Sequence, residues 1–200
     1  MSFTNLLRGA IVAVAALSLA ACGINSVPAA EEQAKAKWAD VEAQFQRRSN
    51  LIPNLAEVAR GAAENERAIL TEVTEARARA TSVNITADDL DDPAKMEQFA
   101  AAQGQLSQGL GRLLASFEAY PQIQSNQNFL ALQSQLEGTE NRIAVAIRDY
   151  NEAVRQYNTT IRTFPDIIGA KVIHGAKPLV PYKAATPGAE VAPTLDLTKN

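Results

Sequence analysis

The 200 residues contain one cysteine, one histidine and one tryptophan. A lone thiol closes no internal disulfide, and with His174 as the only imidazole it builds no Cys/His zinc site. The same scarcity provides no Ser-His-acid or Cys-His constellation for nucleophilic catalysis. Neither G-x-x-x-x-G-K-[ST] nor G-x-G-x-x-G occurs, so no phosphate loop and no cofactor is expected. Basic residues do not gather either: Lys plus Arg number 19 against 22 Asp plus Glu, a formal net charge of -3. Nucleic-acid binding needs a basic stripe to neutralise phosphates, and none is present. Finally, no apolar stretch is long enough to cross a bilayer core of roughly 30 Å as a helix.

What is present begins with a short export signal. Residues 1–21 carry one positive side chain, Arg8, followed by an apolar run from Ala10 to Ala21. That pattern reads as a signal peptide rather than an anchor. It ends Leu19-Ala20-Ala21-Cys22-Gly23, which looks like a bacterial lipobox: an apolar residue, two small ones, then the thiol that receives diacylglycerol. The alternative is an ordinary secretory cleavage site followed by an incidental cysteine. Removal of residues 1–21 takes away one base, Arg8, and no acid, moving the net charge from -3 to -4. Lipidation at Cys22 would hold the mature chain at a membrane, since each buried CH₂ contributes about 0.8 kcal/mol and several chains act together. Gly at position 23, where Asp would favour retention at the inner membrane, points to the periplasmic face of the outer membrane.

The rest reads as all-α. From Val27 to about Ala80 the chain is rich in helix formers, and Trp38, Val41, Phe45, Ile52, Leu55, Ile69, Val73 and Ala76 recur at three- and four-residue steps. Pro53 falls inside this stripe; because the phase persists across it, one long kinked helix is expected, with a true break as the alternative. Residues 81–92 break the pattern, and Asp92 before Pro93 reads as an N-cap with proline at the first helical position. A calcium site built from Asp88, Asp89, Asp91 and Asp92 is the sharper reading, but the alternating ligands, central Gly and distal Glu of an EF-hand loop are missing. A second helix is expected over about 93–119. A third runs from Phe129 to Phe164 and stops at Pro165, with a short helix in Asp166–Ile173. The expected architecture is an elongated antiparallel up-and-down bundle of three long helices, or four if the first breaks at Pro53. Its divisions are a signal peptide over 1–21, a lipidated N-terminus and short linker over 22–28, the bundle over 29–174, and a flexible Pro-rich tail over 175–200.

Four stretches carry a specific resemblance: GINSVPAAEEQAKAKWADVEAQFQRRSNLIPNLAEVARG (23–61), EARARA (75–80), FEAYPQIQSNQNFLALQSQLEGTENRIAVAIRDYNEAVRQYN (117–158), and Phe164-Pro165. They make the chain similar to the LemA family, and the resemblance implies a helical bundle held at the bacterial envelope, usually by a transmembrane helix. The lipobox departs from that pattern. No established reaction comes with the resemblance, so it transfers no catalytic residues. Among the matching polar positions, Arg48 and Glu140 face the bundle interior by period. A buried charge costs several kcal/mol unless paired, so Arg48, Glu118, Glu140 and Arg142 are the expected members of a structural polar network. The competing reading makes Glu118 and Glu140 a catalytic carboxylate pair acting on envelope polymers. The leading expectation is a non-enzymatic envelope lipoprotein serving as a spacer or docking protein; a self-associating structural protein is a third reading. Neither an individual partner nor an oligomeric state can be read from the exposed faces.

Overall fold

A computed structural model describes the backbone of residues 3–60 and 67–184, and the side chains of residues 25–58 and 67–184. Helix α1 spans Phe3–Arg60 and includes both Pro28 and Pro53. Residues 22–28, expected as a short linker, are therefore helical. The helix also runs through Pro53. A proline there has no N–H to donate to the carbonyl four residues back, which leaves Ser49 O in need of a donor. Arg77 supplies one, its Nε donating to Ser49 O at 2.9 Å.

That bond also shows that the chain has doubled back. Helix α2, Arg67–Ser82, lies beside α1 rather than extending it, so the single helix expected over 27–80 is two antiparallel helices. The reversal comes after the end of α1 at Arg60 and before the start of α2 at Arg67, not at Pro53. After a turn over Ala87–Asp89, α3 spans Pro93–Ser116. Its N-cap is Asp92, which accepts from Ala94 N at 2.9 Å and Lys95 N at 3.3 Å. A turn at Phe117–Ala119 and the short α4, Pro121–Gln124, lead into α5, Gln127–Thr160. Asn126 caps α5 through Asn128 N and Phe129 N.

Helices α1, α2, α3 and α5 form an up-down-up-down bundle in which α1 packs on α5 and α2 on α3. Its interior has two apolar clusters. The basal one contains Val27, Trp38, Phe45, Phe99, Tyr150 and Tyr157. The distal one contains Leu55, Val73, Leu106, Leu110, Phe117 and Leu136. At the base the chain turns through α6, Asp166–Gly169, and a π-helical turn, Ala170–His174, which ends at Gly175 with φ +56°.

From Gly175 to Ala184 the chain is extended but not loose, which corrects the expectation of a flexible tail over this part. Asn158 donates Nδ2–H to Leu179 O at 2.8 Å and accepts from Leu179 N at 2.9 Å. Asn151 does the same with Tyr182, at 3.0 and 2.8 Å. The two asparagines are seven residues apart on α5, a rise of about 10.5 Å. Leu179 and Tyr182 are three apart on an extended chain, about 10 Å, so the two repeats coincide. Val180 N donates to Leu90 O at 2.8 Å, and Val180 O accepts from the Tyr150 hydroxyl at 2.8 Å. Pro178 and Pro181 fall at positions where no further backbone donor needs a partner. Leu179 and Tyr182 are buried, so this strap extends the basal core. Residues 185–200, the rest of the expected tail, lie outside the described residues.

Candidate functional site

Between the two apolar clusters lies a polar layer centred on Arg48, which is 1% exposed. Helix α1 projects this side chain across the bundle, and α3 and α5 receive it. Nη1 donates to Ser107 Oγ at 2.6 Å and to Glu140 Oε1 at 3.1 Å. Nη2 donates to Gln103 Oε1 at 2.7 Å and to Gln103 O at 3.3 Å. Gln103 is itself buried and passes Nε2–H to Ala80 O at the end of α2. Every long helix of the bundle thus contributes to one connected set of hydrogen bonds. The guanidinium carbon also stands 5.0 Å from the centre of the Phe45 ring, a cation–π contact at the border of the basal core. Among the described residues, Arg48 Nε and Ser49 Oγ in this layer, with Gln44 Oε1 nearby in sequence, are buried without a hydrogen-bond partner.

The layer opens to solvent on one side. A cleft of about 360 Å³ is lined by Arg48, Gln103, Ser107, Glu140, Tyr182 and Ala184 among others. Glu140 stands at its mouth with 48% of its side chain exposed, so the Arg48–Glu140 pair is half wet. Tyr182, from the strap, forms part of the wall. Burial pushes its phenol up to about 12, with a smaller opposing influence from Arg48. Burial alone also raises the phenol of Tyr150, whose hydroxyl holds the strap. Ala184, the last described residue of the strap, lies at this cleft.

The structure brings Arg48 and Glu140 together but not the other two members expected with them. Glu118 sits in the exposed turn after α3, where its backbone carbonyl accepts from Gln124 Nε2. Phe117, beside it, stacks on Phe129, eleven residues before Glu140 on α5. Eleven residues of helix span about 16 Å, so Glu118 and Glu140 stand at different levels of the bundle. Arg142 is exposed and lies back along its own helix toward Gly138.

Three of the four aspartates weighed as a calcium site have separate tasks. Asp89 accepts from Thr86 and pairs with Lys95, whose hydrogen bond is the main reason its carboxyl is held well below the usual range. Asp92 caps α3, and Asp91 pairs with Lys177 at 3.0 Å. Cys22 is within α1, but its side chain lies outside the described residues. Sequence reasoning did not assign roles to Gln103, Ser107, Arg77, Asn151 or Asn158. Only the asparagines left a usable signal, since they repeat at seven residues on one face of α5.

A family model described as LemA family matches residues 37–196. The chain is similar to magnetosome proteins MamQ 1 and MamQ 2 of Paramagnetospirillum magneticum, each 28% identical over 157 residues, covering 70% of this chain and 58% of theirs. Magnetosome protein MamQ of Magnetospirillum gryphiswaldense is 27% identical over 150 residues, covering 67% of this chain and 55% of its own. This chain thus spans less than two thirds of the length of these relatives.

Proposed function

The chain belongs to the LemA family, and from that premise we propose that it is a lipid-anchored protein of the bacterial cell envelope, a docking platform rather than an enzyme. The anchor is diacylglycerol on Cys22, and the site is the periplasmic face of the outer membrane. The observation that carries this reading is the placement of Cys22. It follows an apolar run and two alanines, and it precedes by four residues Ser26, whose Oγ donates to Asp166 at the base of the bundle at 2.6 Å. Four helical residues rise about 6 Å, so an acylated Cys22 sets the bundle upright on the membrane with its distal end and the Arg48 cleft outward. The placement of Glu118 and Glu140 at different levels of the bundle favours this reading over a carboxylate-pair hydrolase. We place the polar network in a structural role, fixing the register of four helices.

Mass spectrometry of the mature N-terminus is the direct test. An acylated Cys22 is expected; a free thiol on a chain cleaved elsewhere would overturn the anchor. Cys22→Ser should release the protein from the membrane or leave its signal uncleaved. Crosslinking in intact envelopes should recover a specific partner from the wild-type chain. Recovery of the bundle alone would contradict a docking role.

A further inference from the structure

Four of the six exposed large hydrophobic side chains among the described residues fall within ten residues of one turn. Phe164 is 73% exposed, Ile168 54%, Val172 78% and Ile173 56%. Isolated exposed apolar residues are ordinary, but a contiguous group of this kind marks a contact surface. The group occupies the basal turn formed by the end of α5, α6 and the π-helical turn. Arg162 and Lys171 are exposed on the same turn, while its one acid, Asp166, is half-buried and turned toward Ser26, leaving two bases against one acid. The face is thus apolar with a basic margin.

Its location decides what covers it. The Ser26–Asp166 hydrogen bond fixes this turn at the level where α1 enters the bundle. Upstream of Ser26, α1 continues through Cys22. A lipid on Cys22 therefore holds the turn within about 6 Å of the same plane. We propose that the basal turn, residues 164–173, is a second membrane contact: Phe164, Ile168, Val172 and Ile173 enter the acyl boundary of a bilayer, and Arg162 and Lys171 meet anionic headgroups. Amphipathic elements with apolar residues flanked by Lys and Arg bury their apolar side roughly 5–10 Å into that boundary. The contact rests on the membrane anchoring proposed above and goes beyond it. A single flexible tether lets a rod swivel, whereas a tether with an adjacent inserted turn fixes its tilt.

The test uses the full mature chain, purified from membranes and reconstituted in phosphatidylethanolamine–phosphatidylglycerol vesicles containing brominated lipid. Val172→Trp reports on the basal turn and Leu130→Trp on α5 near the opposite end. Trp38, 2% exposed and about 18 Å along α1 from Ser26, gives the background. Quenching of Val172→Trp should be at least about twice that of Leu130→Trp, in keeping with insertion at the acyl boundary. Adding Ile168→Glu should reduce the quenching while leaving the melting temperature unchanged. Equal quenching at the two sites on a chain that carries lipid and floats with the vesicles overturns this contact and leaves the anchor standing. Strong quenching on a chain without lipid at Cys22 supports the contact and overturns the anchor. A chain that neither floats nor quenches overturns both. A Val172→Trp side chain shielded by concentration-dependent self-association, with no quenching by the brominated lipid, would give the face to a second copy instead.

Discussion

The basal and distal halves of the bundle solve the same packing problem with different residues. The basal half is aromatic: Trp38 meets Phe99 and Tyr150 edge-on at 5.4 and 5.0 Å, and Phe45 meets Phe99 at 5.4 Å. Two of these rings also have polar handles. Trp38 Nε1 donates to Ile85 O at 3.2 Å, and the Tyr150 hydroxyl holds Val180 O. The distal half is largely aliphatic, with Phe117 on Phe129 as its ring pair. Aliphatic packing is tolerant of rearrangement, whereas a ring with a directed hydrogen bond accepts one orientation. The basal half therefore specifies a unique geometry, and the Arg48 layer passes that register on to the distal half.

The largest expected effect tests whether the halves are separable. Trp38→Ala should cost about 4 kcal/mol in urea unfolding, with amide exchange accelerating in 85–100 and 143–157 well before 106–136. Uniform acceleration would show the halves to be one cooperative unit. Arg48→Ala comes next, at about 3 kcal/mol, because it opens a gap and leaves Gln103 Oε1 buried without its donor. Glu140→Gln should cost less than about 1 kcal/mol, since that partner is half exposed. A Glu140 effect as large as that of Arg48 would mean that the ion pair, rather than the buried hydrogen bonds, holds the layer.

Alkaline titration singles out the basal half. The folded phenol of Tyr182 lies at about 12, above its ordinary 10, so between these values the native state keeps a proton that the unfolded chain has released. Its contribution is complete below pH 10 and is lost as pH rises toward 12, on the order of 2 kcal/mol. Tyr182→Phe should remove that share of the dependence, leaving the part contributed by Tyr150, whose phenol burial also raises. A further effect, smaller than that of Arg48, concerns α1. Arg77→Ala should cost about 1.5 kcal/mol by orphaning Ser49 O. In a Pro53→Ala background the cost should shrink, because alanine restores the backbone N–H that proline lacks. A double-mutant cycle with no coupling would refute that relationship.

The periodicity of the sequence was enough for the all-α class and for the helices that became α3 and α5. It failed at the α1–α2 reversal because Ile69, Val73 and Ala76 form α2's own inward stripe, and a stripe that happens to keep phase cannot reveal a turn between its parts. It also failed over 175–184. Prolines there suggest an extended chain, and the chain is extended; what composition does not show is that Asn151 and Asn158 offer paired amide groups at the matching interval. Arg48 with Glu140 was legible from inward period alone. Gln103, Ser107 and Arg77 were not, since their partners come from other helices and are defined only by the packing.

The carbonyl of Ser49 makes the continuity of α1 conditional. An isolated helix would be weakest where Pro53 leaves that oxygen unanswered, and proline is the usual origin of a bend. Here the repair comes from another helix, through Arg77. Anything that drew α2 aside would therefore also soften the shaft it leans on, so a pull on the distal hairpin would be felt as a change in the rod's stiffness.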